Sequence, residues 1–235
     1  MTKPIRSLLR HIYNFGGKLY LYPMLKYESK HPTFFSRNER AIEYGFTFNH
    51  ISKLCPDTLL DIGTGISAFP NLVANCGIKV TAIDKIKGYW KGSFFNRHFR
   101  IENGDITTPD LNQQFDFVTC ISVLEHIPEH LKAVKGMFSL VKKGGYLVLT
   151  FPFNENNYNN NVHKDKPNLT FVTQVYSRNE INEWLKDSDM QIINQEYYNV
   201  FNGEFWGQGT MTIPPIQVNQ FDKSHLTCIL LKKSE

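Results

Sequence analysis

The sequence lacks the patterns that mark several large classes of protein. It has only four cysteines, far apart and without a C-x-x-C pair or a histidine at ligand spacing: Cys55, Cys76, Cys120 and Cys228. This spacing argues against a disulfide framework or a structural metal site and favours reduced, mostly buried thiols. No long uninterrupted apolar run occurs, so neither a signal peptide nor a membrane-spanning helix is predicted. We therefore expect a cytoplasmic protein that holds no metal.

Basic residues are too few over most of the chain for a nucleic-acid-binding surface. The formal net charge is +4, but residues 1–30 alone hold six lysines and arginines against one acid, Glu28. The rest is nearly neutral and shows no basic stripe, so we expect no nucleic-acid partner. Residues 1–27 mix positive charge with Leu, Ile, Tyr and Phe. This mixture suits a helical extension packed on the core, or contact with an anionic membrane surface or an acidic partner.

Strand and helix signals alternate along the middle of the chain. TLLDI, IKVTAID, FRIEN, FDFVTCI and YLVLTF read as strands, and PEHLKAVKGMFSLVKKGG reads as a helix that ends at Gly144-Gly145. Alternation of this kind predicts an α/β fold with a parallel sheet and right-handed crossovers. With 41% apolar and 20% charged residues, the chain has the composition of a packed globular protein. We predict a helical extension over residues 1–54 and one compact domain over residues 55–235.

Two capping-box patterns and two long loops complete the outline. S36-R-N-E39 predicts a helix reaching about Leu54, and S177-R-N-E180 predicts one over INEWLKDS. Late strands QIINQEYYNVF and HLTCILLKK flank a long connection, residues 202–224, and the Asn-rich residues 154–168 predict an exposed loop. Long loops in a compact domain often carry function. We expect substrate contacts from them, with Phe205 and Trp206 either stacking on a ring or forming a satellite core.

The stretch D61-I-G-T-G65 follows an apolar strand directly. Gly63 and Gly65 allow a sharp turn at the carboxyl end of that strand, where open α/β sheets bind ligands. The full dinucleotide fingerprint is only approximated, because position 68 is Ala. Asp84 closes the next strand, at the place where a carboxylate can accept both hydroxyls of a ribose. These residues predict a ligand that contains adenosine.

Asp61 separates the ligands that fit this description. A dinucleotide would bring two phosphates against the turn, and a carboxylate beside them would repel them. S-adenosylmethionine has no phosphate, and its methionyl end carries an ammonium and a sulfonium cation. The acid therefore favours S-adenosylmethionine. Asp105, in the GDI stretch after the third strand, lies where a carboxylate can take the adenine amino group.

In chain order, D61-I-G-T-G65, VTAID84, GDI106, FDFVTCISVLEHI127 and LVKKGGYLVLTFP152 resemble the motifs of the class I S-adenosylmethionine-dependent methyltransferases. The resemblance covers about residues 57–152. It implies a Rossmann-like, doubly wound sheet of seven strands, mostly parallel with the last strand antiparallel, and helices on both faces. The cofactor-binding residues that it implies are Asp61, Gly63, Thr64, Gly65, Asp84, Lys85, Asp105, Ile106, Ser122 and Glu125.

The resemblance implies methyl transfer to a small-molecule acceptor, and the polar loops favour a hydroxyl on a sugar or similar metabolite. A hydroxyl acceptor must lose a proton, so His126 is the first candidate base and His163, in the Asn-rich loop, is the second. Each acid also has a plain interpretation as a cap or turn residue, and each histidine as a structural or solvated side chain. An NAD-dependent oxidoreductase and a non-catalytic S-adenosylmethionine-binding protein remain as alternative functions.

Overall fold

A computed structural model of the chain describes residues 3–31, 37–86, 96–156 and 174–235. The chain forms two compact units, residues 1–38 and residues 39–235. Helix α1 (Lys3–Lys30) makes up most of the first unit. The second unit contains one sheet and the remaining helices. The predicted division into an extension over residues 1–54 and a domain over residues 55–235 stays a prediction.

Within the described residues, the sheet of the larger unit has eight strands in the order β3-β2-β1-β4-β5-β8-β6-β7. The first five in sequence are parallel, whereas β8 runs antiparallel to both neighbours and β6 runs antiparallel to β7. The strands are β1 (Thr58–Ile62), β2 (Lys79–Asp84), β3 (Glu102–Asn103), β4 (Phe115–Ile121), β5 (Val141–Pro152), β6 (Met190–Phe201), β7 (Met211–Val218) and β8 (Leu226–Lys233).

Helices cover both faces of this sheet, as predicted. Helices α2 (Arg40–Leu54) and α3 (Phe69–Asn75) contribute to one hydrophobic core, and α4 (His130–Leu140) and α5 (Arg178–Leu185) contribute to the other. Alternate residues of the central strand β4 serve the two cores: Val118 and Cys120 point into one, and Phe117 and Ile121 into the other. The apolar run FDFVTCI therefore belongs to a strand buried on both faces.

The predicted fold class is confirmed, but the sheet has eight strands rather than seven. The additional strand is β7, MTIPPIQV, within the stretch expected to be one long connection. Its two prolines argue against a strand when only the sequence is considered, because proline cannot donate a ladder hydrogen bond. An edge strand tolerates them, and among the strands that the structure describes β7 is the last in the sheet, paired with β6 on one side.

Helix boundaries also differ from those expected. Helix α4 ends at Leu140, not at the glycine pair, because Val141 already pairs with Phe115 in the sheet. The glycines serve a turn inside the strand segment instead: Gly144 has φ +71, and a Cβ on Gly145 would lie 2.9 Å from the Lys142 carbonyl oxygen. Among the cysteines, Cys120 and Cys228 are buried, but Cys55 and Cys76 are exposed, contrary to the expectation of mostly buried thiols.

The two predicted capping boxes have different outcomes. At α5, the Ser177 side chain accepts from the Asn179 backbone N–H, and Glu180 accepts from the Ser177 N–H, so this box is confirmed. Helix α2 ends at Leu54 as predicted but begins at Arg40, and Glu39 precedes it without a side-chain cap. Ser36 lies outside the described residues.

Candidate functional site

Parallel strands bring the three predicted acids to the carboxyl ends of the strands. We call this end of the sheet the sheet edge, as distinct from an edge strand such as β7. Asp61 lies near the end of β1, in register with Ala82 of β2. Asp84 ends β2 in register with Asn103, the last residue of β3, and Asp105 follows two residues later. Because neighbouring parallel strands all end at the same edge, side chains far apart in sequence lie around one opening.

The glycine turn closes against the second strand. Gly63 and Gly65 have φ +72 and +55, in the left-handed region that favours glycine. The Gly63 N–H donates to the Ile83 carbonyl (2.9 Å), and the Gly65 N–H donates to Asp84 Oδ2 (2.7 Å). A Cβ on Gly63 would lie 2.4 Å from a methyl carbon of Val123. Glycine is therefore required there by backbone conformation and by packing.

Asn96 holds the part of the glycine turn that begins at Gly65. Its buried side-chain amide donates to the carbonyl oxygens of Gly65 (2.8 Å) and Ser67 (2.9 Å). Its own oxygen accepts from the backbone N–H groups of His98 and Phe99. Asn96 was not singled out from the sequence, since a lone asparagine in a polar connection carries no distinguishing signal.

Asp61 is buried, with 4% of its surface exposed, and is oriented by two hydroxyl groups. Thr64 Oγ1 donates to Asp61 Oδ2 and Thr119 Oγ1 donates to Oδ1, each at 2.7 Å. Burial and, to a smaller extent, nearby Asp84 raise the pKa of Asp61 to about 6, against the lowering effect of these hydrogen bonds. The carboxylate is thus held in one orientation where a cation would relieve its desolvation.

A cavity of about 50 Å³ lies beside this carboxylate. Such a volume holds a small polar group or a few waters. The lining side chains and backbone come from the glycine turn, the ends of β1 and β4, and helices α2 and α3: Arg40, Tyr44, Asp61, Ile62, Gly63, Thr64, Ser67, Phe69 and Ile121. The cavity therefore presents an acid and a guanidinium to whatever enters it.

Glu43 of α2 connects that helix to the ends of two strands. The carboxylate is fully buried and accepts hydrogen bonds from Ser122 Oγ, Thr150 Oγ1 (2.6 Å) and Arg40 Nη1 (2.9 Å). Arg40 also donates to the Ile121 carbonyl (3.1 Å). Ser122 has φ +47, and the Thr150 carbonyl and hydroxyl oxygens accept its N–H. Glu43 thus holds the turn after β4 in a conformation that a non-glycine residue rarely adopts.

Glu125 and His126 lie in the 3₁₀ turn Leu124–His126 that follows Ser122. The Glu125 side chain is almost fully buried, and its Oε2 atom has no hydrogen-bond partner among the described residues. Burial, together with the nearby carboxyl groups of Glu43 and Glu39, raises the pKa of Glu125 to about 8 against the opposing effect of Arg40. His126 is partly exposed, with Nε2 3.9 Å from Glu125 Oε1.

The other predicted cofactor residues occupy the β2 and β3 side of the edge. Lys85 Nζ pairs with Asp105 Oδ2 at 2.7 Å, and Thr107 donates to Oδ1 through its N–H and hydroxyl. Burial raises the pKa of Asp105, but these hydrogen bonds outweigh that effect and hold the pKa below its usual value. Ile106 lies in the hydrophobic core. The second predicted base, His163, lies outside the described residues.

The loop between β6 and β7 reaches toward the start of α2. Trp206 packs edge-to-face on Phe201, and burial raises the pKa of nearby Glu39 above its ordinary value. His225 anchors the loop: the N–H groups of Val200 and Phe201 donate to Nδ1, and Nε2 donates to the Gly203 carbonyl. Phe205 is half-buried. Part of this loop is thus a satellite aromatic core beside the sheet edge.

Arg40, Glu43 and Tyr44 are site residues that the sequence did not reveal, because α2 was assigned to an extension. One signal was present. The buried positions of α2 are Glu43, Phe46, Thr47, His50 and Ile51, which follow the three- and four-residue steps of one helix face. A glutamate in that stripe marks a carboxylate with a buried partner.

Comparison with known proteins agrees with this arrangement. The family model of a methyltransferase domain matches residues 38–195. The ubiquinone biosynthesis O-methyltransferase of Coxiella burnetii is 30% identical over 99 residues, which are 39% of this chain and 42% of the relative. That of Pseudomonas fluorescens is 30% identical over 105 residues, or 42% and 45% of the two chains. The chain thus spans less than half the length of these curated relatives.

Solved structures share the fold over most of the chain. The 1,6-didemethyltoxoflavin-N1-methyltransferase of Burkholderia thailandensis, with its acceptor and S-adenosylhomocysteine bound, is 13% identical with a TM-score of 0.58, covering 95% of this chain and 90% of that chain. An N-methyltransferase from Bradyrhizobium japonicum in complex with S-adenosylhomocysteine is 15% identical with a TM-score of 0.52, covering 84% and 88%. At these identities the likeness concerns the fold alone.

Proposed function

Since the chain belongs to the class I S-adenosylmethionine-dependent methyltransferases, we propose that it is an active enzyme that transfers a methyl group from S-adenosylmethionine to a hydroxyl of a small molecule. The observation that carries the proposal is Asp61: a buried carboxylate, oriented by Thr64 and Thr119, beside a small cavity next to the glycine turn. An ammonium group is the ligand chemistry that such an acid accepts best.

The residues around the edge fit the remaining parts of the cofactor. Asp84 at the end of β2 would take the ribose hydroxyls, and Asp105 with Lys85 would stand at the adenine. Ser122 and Glu125 would border the methyl group. When bound, the cofactor supplies a methyl group already activated by its sulfonium, so the protein's own task is to hold the acceptor in line and exclude water.

An NAD-dependent oxidoreductase is the less favoured alternative. A pyrophosphate at this turn would lie beside Asp61, where the second acid Asp84 already raises the pKa of that carboxylate. Placing further negative charge in a buried site of this kind is unfavourable. Family membership supports the same choice.

On the acceptor side, Glu125 and His126 supply the proton chemistry. The Glu125 carboxyl, with its pKa raised to about 8, is protonated at neutral pH, and its unpartnered Oε2 can bind a polar group of the acceptor. His126, beside it and partly exposed, is positioned to take a proton from a hydroxyl. His163 keeps its place as the second candidate base.

Two observations bear on the acceptor's chemistry. The curated relatives carry O-methyltransferase names, which supports a hydroxyl acceptor. The half-buried Phe205 near the sheet edge supports a flat ring or a sugar face, on which an aromatic side chain can stack. Within the hydroxyl class, we propose a sugar or a similarly polar metabolite.

The test is a methyl-transfer assay with labelled S-adenosylmethionine and two matched sets of acceptors, one of sugars and polar alcohols and one of phenols and amines. We expect turnover with a hydroxyl acceptor and none after its hydroxyl is replaced by hydrogen. Turnover with amines only would overturn the hydroxyl assignment. A protein that binds the cofactor but methylates nothing in either set would support the non-catalytic alternative.

A further inference from the structure

Helix α1 carries a continuous apolar face that is exposed to solvent. Between Ile5 and Tyr20 its aliphatic and aromatic residues recur at three- and four-residue steps, which places them on one side of the helix. Tyr13 and Tyr20 are 76 and 70% exposed, and the other six are between 38 and 65% exposed: Ile5, Leu8, Leu9, Ile12, Phe15 and Leu19. Pro23 lies inside the helix soon after, and Lys26 interrupts the apolar side beyond it. We call Ile5–Tyr20 the amphipathic segment.

The opposite side of the amphipathic segment is basic. Arg6, Arg10, Asn14 and Lys18 follow one another at four-residue steps, so they form a single row along the helix. No acidic residue occurs anywhere in residues 1–27. All the formal charge of this side is positive, whereas surface helices of globular proteins usually carry both signs.

We propose that the amphipathic segment binds the surface of an anionic lipid bilayer, lying in the interface with its apolar side chains among the acyl chains and its basic row at the headgroups. This inference goes beyond the proposed methyl transfer and does not depend on it. No helix in the described part of the chain is long and apolar enough to cross a bilayer. A helix with this division of residues is of the kind that lies in the plane of the interface.

Charge decides between a bilayer and a second copy of this chain. Pairing two copies through their apolar sides would leave both basic rows in water without any counter-charge, whereas the headgroups of an anionic bilayer neutralise the row. A long amphipathic helix also supplies the apolar area that basic residues alone lack, and stable attachment to a membrane requires both contributions.

Vesicle co-sedimentation of the full chain tests the proposal. Phosphatidylcholine vesicles with phosphatidylserine are compared with vesicles of phosphatidylcholine alone. We expect binding at least tenfold stronger to the anionic vesicles, weakening as salt is raised. Arg6→Gln, Arg10→Gln and Lys18→Gln together should weaken binding on the order of 10²-fold, since each basic residue near such a surface contributes roughly fivefold.

Leu8→Glu with Ile12→Glu should abolish vesicle binding, because it places two charges on the apolar side. Ile216→Glu is the matched control: this isoleucine is similarly exposed, at 54%, but lies on β7, and its substitution should leave binding unchanged. Thermal unfolding and S-adenosylhomocysteine binding report whether each variant is folded. Absent binding to anionic vesicles, or equal binding to neutral ones, would overturn the proposal. So would a dimer in solution that the Leu8→Glu, Ile12→Glu variant dissociates.

Discussion

At the scale of single residues, Asp61 and Glu125 are both acids held away from water, but their partners differ. Asp61 accepts two hydroxyl hydrogen bonds, which favour its ionised form, and its pKa is raised only to about 6. Glu125 Oε2 has no such partner among the described residues, and the pKa of Glu125 is raised to about 8. At neutral pH one side chain is ready to receive a cation and the other holds a proton.

Asp61 gives cofactor binding a dependence on pH. A ligand with an ammonium group binds the ionised carboxylate, so below the pKa of about 6 binding must also remove a proton. The affinity for S-adenosylhomocysteine should fall about tenfold per pH unit below that value and be constant above about pH 7. Calorimetry across this range measures it. Asp61→Asn should bind more weakly and without this dependence, and a flat profile for the unmodified protein would contradict the assigned contact.

Glu125 should make the ligand-free protein less stable as pH rises. Its pKa is 4.5 when unperturbed and about 8 when folded, so between these values the folded state holds a proton that the unfolded state has lost. The free energy of unfolding therefore falls across this window. Glu125→Gln removes this titration. The free energy of unfolding of the variant, relative to that of the unmodified protein, should therefore increase by about 2–3 kcal/mol from about pH 6 to about pH 8. Urea unfolding at both pH values tests this, and an advantage independent of pH would exclude a buried proton at Glu125.

His126 should contribute to turnover rather than to cofactor binding. General-base assistance accounts for roughly 10²–10⁴-fold in rate, so His126→Gln should lower kcat by that factor with a hydroxyl acceptor. The affinity for S-adenosylhomocysteine should stay within a few fold. His98→Gln, a change at an exposed histidine outside the site, is the matched control. Normal turnover in the His126→Gln variant would mean either that His163 is the base or that the acceptor needs no base.

The sequence predicted those side chains that stand at strand ends next to recognisable turns. Asp61 and Asp84 follow apolar runs and Asp105 follows the short strand β3, and the parallel register places all three at one edge. Arg40 and Glu43 could not be predicted in the same way. Their partners Ile121, Ser122 and Thr150 are distant in sequence, and one chain contains no local signal for such pairing.

At the scale of secondary-structure elements, the sequence predicts an element correctly where a long apolar run or a local side-chain cap specifies it. β1 and β4 span TLLDI and FDFVTCI as predicted, because apolar runs of this length suit strands buried on both faces. The capping box at α5 is confirmed for the same reason: both of its partners are local. β7 was missed because its prolines oppose strand propensity, and pairing with β6 at the edge overrides that preference.

The connections before and after α3 offer a matched pair of glycines. Gly63 and Gly77 both have positive φ, +72 and +87, but a Cβ on Gly63 would meet Val123 at 2.4 Å, whereas one on Gly77 would meet no atom of the described residues within 4 Å. Gly77→Ala should cost about 1–2 kcal/mol of stability from backbone strain alone. Gly63→Ala should cost about 1–3 kcal/mol more through overpacking.

Denaturant unfolding of the two alanine variants measures the difference. Val123→Ala combined with Gly63→Ala provides the control, because it removes the methyl groups that the new Cβ would meet. The double variant should recover part of the excess loss. Equal costs at Gly63 and Gly77 would show that the turn is not packed as described.

At the scale of the whole molecule, the chain consists of two compact units. The larger unit gathers the strand ends, α2 and the β6–β7 loop around one sheet edge, and the smaller contains a basic helix with an exposed apolar side. The fold class of the larger unit was predictable from alternating strand and helix signals. Whether α1 would bury its apolar side was not, because its composition suits both a packed and an exposed helix.

The central claim is that the sheet edge with Asp61 and Asp84 is a site for S-adenosylmethionine. Calorimetric titration of the full chain with S-adenosylhomocysteine, and separately with NAD⁺, tests it most directly. We predict saturable binding of S-adenosylhomocysteine at one site, weakened by about 1.5–3 kcal/mol in Asp84→Ala, the size of a hydrogen bond to a charged group. Asp84→Asn, which keeps an oxygen for the Gly65 N–H, controls for damage to the turn. Binding of NAD⁺ without binding of S-adenosylhomocysteine would contradict the account.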